Sequence, residues 1–258
     1  MKTKAIFLLP LMFTLLNSVL ADTVGTYAAY NWTGGYLGGF AGGGAGAKTD
    51  TTEPYSSGWG GTWITPNAAY GYKNSASFLG GGTIGYNWQV ANSPLVLGFE
   101  GEYGYLGAHG RSPDPNGLAA FPNATVITHS TNIGSAFGYA VAGGRIGYAL
   151  DKILFYVKSG AVFTSIQANY DSPPYQSFNT LNISSKSNIV AYAIGTGIEY
   201  VLPFEWAANH VTIKTEYLYL GIDSTQTATA MGSDGYSYVM TDKVSGIHTA
   251  KLGINYKF

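Results

Sequence analysis

The chain has 258 residues, enough for one large domain or two small ones, with 46% apolar, 15% aromatic and only 10% charged residues and a formal net charge of −1. A near-neutral chain without basic clusters is excluded from the usual nucleic-acid binders, and the absence of cysteine excludes disulfides, zinc thiolates and a cysteine nucleophile. Its 36 glycines and 21 tyrosines are interspersed with apolar residues in regular periods, which favours many short strands over a low-complexity chain.

The chain opens with Lys2 and Lys4, an apolar run from Ala5 to Leu16, and a small residue, Ala21, at a cleavage position. This pattern predicts a secretory signal over residues 1–21. About a dozen apolar residues fall short of the ~20 that a spanning helix needs. No later stretch approaches that length, so a membrane role must come from strands. Residues 22–29 are expected as a short periplasmic segment and 30–258 as one folded domain.

Eight segments in that domain carry strand patterning: Trp32–Gly44, Phe78–Gln89, Leu95–Leu106, Ser135–Leu150, Ile153–Ser165, Ile189–Tyr200, His210–Gly221 and Val244–Phe258. The first is glycine-rich, with Trp32, Tyr36, Leu37 and Phe40 as its bulk, and its facing is ambiguous. The others alternate apolar and polar residues. Connections 90–94, 151–152 and 201–209 are short, whereas 45–77, 107–134, 166–188 and 222–243 are long and rich in Ser, Thr, Asn, Gly and Pro. Long loops are uncommon inside a compact soluble domain. Short turns on one side and long loops on the other predict an all-β, eight-stranded antiparallel up-and-down transmembrane barrel, with its loops outside the cell and its termini in the periplasm.

Internal repeats agree with this division. Gly82-Thr-Ile-Gly-Tyr86, Gly144-Arg-Ile-Gly-Tyr148, Gly197-Ile-Glu-Tyr200 and Gly253-Ile-Asn-Tyr256 fall near short turns, while Glu102-Tyr-Gly-Tyr-Leu-Gly107 recurs as Glu216-Tyr-Leu-Tyr-Leu-Gly221 near long loops. Tyr86, Trp88, Tyr148 and Tyr200 at one end, with Tyr103, Tyr105, Tyr217 and Tyr219 at the other, are expected as two aromatic belts. Eight charges lie inside strands. In the third, seventh and eighth strands the apolar alternation turns Glu100, Glu102, Lys214, Glu216 and Lys251 inward; in the fourth to sixth the charges Arg145, Lys158 and Glu199 themselves help to choose the phase. An eight-stranded barrel is just wide enough to be filled by side chains, so the balanced charges are expected to form a network plugging the lumen. The alternative is a narrow water-filled pore for ions or small solutes.

Other motifs carry less. Gly42-Gly-Gly-Ala-Gly-Ala-Lys-Thr49 approaches a phosphate-binding loop, but the residues that follow have no helical period. His109 and His129 share one long loop, which makes a haem or metal site conceivable there, though no histidine has metal-ligand spacing. Asn31, Asn123 and Asn182 head short glycosylation-like matches that presuppose a eukaryotic pathway. Trp59, Trp63, Tyr70, Tyr72, Tyr175, Phe178, Tyr236 and Tyr238 in or beside the long loops serve either a surface partner or each other. No catalytic constellation stands out, and the expected role is not enzymatic.

Taken together, Trp32-Thr-Gly-Gly-Tyr36, Gly81-Gly-Thr-Ile-Gly-Tyr-Asn-Trp-Gln89, Gly98-Phe-Glu-Gly-Glu102, Gly197–Tyr200, Glu216–Tyr219 and the stretch Leu252–Phe258 resemble the small eight-stranded outer-membrane proteins of alphaproteobacteria, which include surface antigens and haemin-binding proteins. The resemblance implies an OmpA-like barrel in the outer membrane, with roles in envelope integrity, modest permeability and host contact, and it supplies no catalytic residues. Haemin is the one cofactor it brings into view. It also implies that the barrel-assembly machinery reads Leu252, Ile254, Tyr256 and Phe258 as an insertion signal. Partners are then outer-membrane lipid, that machinery, and a host or surface ligand at the loops. The long first loop and the Pro203-Phe-Glu-Trp206 turn are less typical of the family.

Overall fold

A computed structural model describes residues 30–55, 69–114, 128–134, 136–172, 181–203, 209–233 and 235–258. The expected signal (1–21), the segment 22–29, Asn123 and the loop aromatics Trp59, Trp63, Tyr175 and Phe178 lie outside them. Among the described residues the strands are β1 (Gly34–Ala45), β2 (Lys48–Tyr55), β3 (Ala69–Lys73), β4 (Ser77–Gln89), β5 (Leu95–Leu106), β6 (Ala108–Pro113), β7 (Thr128–Ile133), β8 (Tyr139–Leu150), β9 (Ile153–Ser172), β10 (Leu181–Val201), β11 (Val211–Gly221), β12 (Ser224–Met231), β13 (Ser237–Val244) and β14 (Ile247–Lys257).

Eight of these form a closed antiparallel ring in the order β1, β4, β5, β8, β9, β10, β11, β14, with β14 returning to β1 from Tyr36↔Lys257 to Ala45↔His248. Closure leaves no strand edge in the hydrocarbon, where unpaired backbone groups have no solvent. The short turns at one end each carry a left-handed polar residue, Asn92 (φ 56°), Asp151 (φ 49°) and Asn209 (φ 62°), the residue types that tolerate this region. The first strand's facing is settled: Tyr36 and Phe40 point inward and Leu37 outward.

The outer wall records where the membrane ends. On β10 the outward residues Asn182, Ser184, Lys186 and Asn188 are polar, and from Val190 through Tyr192, Ile194, Ile198 and Tyr200 they are apolar or aromatic, Thr196 excepted. From Val190 to Tyr200, steps of about 3.3 Å tilted by about 40° span about 25 Å, the height of a barrel's lipid-facing band.

Above that line the described parts of the four long connections are largely strands, where open loops are expected from the sequence. β9 continues to Ser172 and β10 begins at Leu181, so the fifth and sixth strands extend well past their predicted limits of Ser165 and Ile189. β7 and β6 add to the side of β9, and β12, β13, β2 and β3 form a second sheet whose ends approach β10 and β6. The reason is a phase inversion. Within the membrane the apolar residues face out; above it Ile166, Ala168, Tyr170, Leu181 and Ile183 face in and polar residues face out. A pattern sought for its greasy exterior therefore ends at the membrane surface while the strands continue. The predicted start of the fourth strand, Ser135, lies outside the described residues; β8 starts at Tyr139, because Gly134 (φ 80°) and Gly138 (φ 74°) turn the chain away from β7 first.

Candidate functional site: the barrel interior

The interior is a stack of layers. At the short-turn end Trp32, Val96, Ala149, Leu154, Tyr156 and Val201 form an apolar floor, and the Trp32 indole donates to the Asp151 carbonyl at 3.1 Å across the opening. Above it lie the eight charged residues expected there, Glu100, Glu102, Arg145, Lys158, Glu199, Lys214, Glu216 and Lys251, all buried.

One pair of neighbouring strands, β8 and β9, places like charges together, and the lumen resolves them. Arg145 of β8 is in register with Lys158 of β9, while β5, the neighbour of β8 on its other side, presents Glu100 and Glu102. Arg145 reaches Glu199 at 3.1 Å and donates Nε to Asn87 at 2.8 Å. Its guanidinium also lies over the rings of Tyr36 (4.7 Å) and Tyr156 (5.0 Å), a stacked position that suits the planar cation. Lys158 pairs with Glu100 (2.6 Å), closely with Glu102, and with Glu216 at 3.5 Å. Lys214 joins Glu100 at 2.8 Å, and Lys251 bridges Glu102 (2.7 Å) and Glu216 (2.6 Å). Tyr36 and Tyr156 donate hydroxyls to Glu100 (2.7 Å) and Glu216 (2.9 Å); Thr212 and Asn255 donate to Glu199 at 2.5 and 2.8 Å. Glu100, Glu102 and Glu216 bring carboxylate oxygens together within 4.8 Å, and Lys158 and Lys251 already occupy their midst.

Over the network lies a layer that reading the strands for outward apolar residues did not find. Phe40, Leu79, Leu106, Ile133, Tyr139, Val162, Ile166, Leu218, Leu220, Val244 and Ile247 pack together, most with essentially no solvent exposure. The signal was present in Leu79, Leu218 and Leu220, whose positions alternate with outward Phe78, Tyr217 and Tyr219 and so have to face in. Higher still, inside the extension, Thr51 and His129 share a hydrogen bond at 2.8 Å, Tyr72 and Thr131 another at 2.6 Å, and Asp242 lies 3.8 Å from His129. Burial pushes the Tyr72 hydroxyl up to about 12.

The remaining candidates fall as follows. Tyr86, Trp88, Tyr148 and Tyr200 line the rim at the short-turn end, where Tyr86 stacks on Phe99 at 6.2 Å, and Tyr103, Tyr105, Tyr217 and Tyr219 line the rim at the opposite end, joined by Tyr192. Leu252, Ile254, Tyr256 and Phe258 are exposed on the lipid side. His109 and His129 are not brought together. They sit on opposite faces of the β6–β7 hairpin, His109 exposed and His129 buried, because their separation along the ladder (Ser112↔His129, His109↔Asn132) puts them in opposite phase. One haem iron cannot be shared between them. The phosphate-loop look-alike runs from β1 into β2 and precedes a strand.

A closed strand ring with an apolar band between aromatic rims and a charged interior defines a small transmembrane β-barrel of the outer membrane. The chain belongs to the outer membrane protein beta-barrel domain family, whose profile matches residues 14–258. It is 27% identical over 251 residues to the 31 kDa outer-membrane immunogenic protein of Brucella melitensis, covering 92% of this chain and 88% of that one. Among solved structures it is similar in fold to the outer membrane protein OprG of Pseudomonas aeruginosa (10% identity, TM-score 0.51, 90% of this chain and 99% of that one). The Neisserial surface protein A is a more distant match (13% identity, TM-score 0.36, 88% and 98%).

Proposed function

We propose that this protein is a non-conducting outer-membrane barrel, exported through a signal cleaved after Ala21, whose work is structural anchoring and contact with molecules at the cell surface. The observation that carries the reading is the stack in the lumen: a paired charge network held between an apolar floor around Trp32 and an apolar lid around Leu79, Leu218 and Leu220. Ions crossing such a stack would have to leave water twice. The role proposed is not enzymatic; among the described residues the buried charged groups are taken up by one another in the lumen. The Brucella relative is named as immunogenic, which supports a surface read by other molecules. Insertion through the assembly machinery by way of Tyr256 and Phe258 belongs to the same reading.

Some polar atoms argue for a trace of lumen water: Arg145 Nη2, Asn255 Oδ1 and Thr83 Oγ1 are buried without a protein partner. They lie beside the network, where isolated waters satisfy such groups without forming a file. Planar-bilayer recording on purified protein tests the proposal. The expected result is no steady channel; uniform ohmic openings would replace the plug with a narrow porin.

A further inference from the structure

On the outer wall of the extension, the described residues paired in register set three lysines around one acid. β2 and β3 pair with Lys48 directly opposite Lys73, and on the other side of β2 Asp50 stands opposite Lys243 of β13. All three lysines are exposed on the outer face. Like charges directly opposite across an antiparallel pair are destabilising. The acid that the register places among them is Asp50, 2.5 Å from the Lys48 ammonium. Gly71, opposite Asp50, has no side chain to cover this pair: a Cβ there would collide with the Asp50 carboxylate.

The height of the cluster selects its ligand. His248 lies in the outer aromatic rim, its ring 4.9 Å from that of Tyr219 and its Nδ1 2.6 Å from the Tyr217 hydroxyl. It pairs with Ala45, three residues before Lys48 in the chain; Lys243 precedes His248 by five residues, and Lys73 precedes the exposed Phe78 by five. At full extension those spacers reach about 10 to 18 Å, and lysine stems can lean back along the wall toward the rim. That puts the ammonium groups within reach of the headgroup layer. The opposite wall, on β10, carries Lys186 among Asn182, Ser184 and Asn188, with no comparable cluster among its described outward residues.

We propose that Lys48, Lys73 and Lys243 bind the phosphate groups of outer-leaflet lipid, clamping a phosphorylated headgroup against the β2–β3–β13 wall. The inference rests on the outer-membrane placement of the barrel and is independent of whether the lumen conducts.

The full-length protein, folded in neutral detergent, is titrated with a bisphosphorylated lipid A; binding is read by native mass spectrometry and by the temperature at which folded gel mobility is lost. The expected result is that lipid raises that temperature for wild type, for Lys186→Ser and for the Lys48→Arg/Lys73→Arg/Lys243→Arg variant. The Lys48→Ser/Lys73→Ser/Lys243→Ser variant should lose the rise and bind on the order of a hundredfold more weakly, at about fivefold per lysine. Equal binding by the serine variant, or equal binding of dephosphorylated lipid by wild type, overturns the proposal. So does an equal rise with inorganic pyrophosphate, which would assign the site to a soluble anion. If the serine variant does not fold, the comparison of the two lipids on wild type decides.

Discussion

Lys158 touches three carboxylates, whereas Lys214 is paired with Glu100, which also has Lys158 and Arg145 within reach. That difference orders the consequences of losing each. Removing one partner of a buried pair costs about 3–5 kcal/mol, because a charge remains without compensation in a poorly solvated place. Lys158→Met is therefore expected at the upper end of that range. Lys214→Met should fall below it, since Glu100 keeps two cations, and exposed Thr229→Ala should stay within about 0.5 kcal/mol. Urea titration of refolded protein, read by heat-modifiable gel mobility, measures the order; equal midpoints for Lys158→Met and Thr229→Ala would refute the network's structural role. The network specifies register as well, because a slip by one residue would turn Glu216 and Lys251, cross-strand partners at 2.6 Å, into the lipid.

At the scale of strands, the wall needs places where backbones can approach. Gly143 of β8 and Gly160 of β9 are direct partners that face inward, and a Cβ on either would strike the other strand's backbone carbonyl. Gly160→Val is expected to reduce the yield of heat-modifiable folded protein severely, and Ala161→Val, on the neighbouring outward position, to leave it near wild type. Equal yields would show that the close approach is dispensable. Strand length has a different origin. β9 and β10 outrun the membrane because their inward residues become apolar just where their outward ones become polar, so the ladder continues as an ordinary half-buried sheet.

For the molecule as a whole, the extension lies at one end and the short turns at the other, which makes orientation testable. With no native cysteine, single substitutions report without background. Thr229→Cys in β12 should be labelled by a membrane-impermeant maleimide on intact cells, and Lys152→Cys in the β8–β9 turn only after the outer membrane is permeabilised. The reverse pattern would invert the barrel. On the proposed reading of a plugged lumen, the chemistry that other molecules meet lies on the extension, including the lysines of β2, β3 and β13.

Much of this was legible in the chain alone. Period-two alternation with aromatics at strand ends requires a lipid-facing wall, and charges in strands whose other face is apolar can only point inward, so Glu100, Glu102, Lys214, Glu216 and Lys251 were assigned from spacing without any coordinates. Three things waited for the tertiary structure. Register between neighbours brings Glu216 to Lys251, but the pairs of Lys158 with Glu100, Glu102 and Glu216 and of Lys214 with Glu100 depend on distances across the lumen, which register does not contain. The apolar lid around Leu79 and Leu220 depends on residues of many strands meeting at one height. The extension depends on the change of solvent at the membrane surface: local sequence shows a greasy face, but only the folded barrel determines whether that face looks into lipid or into the protein.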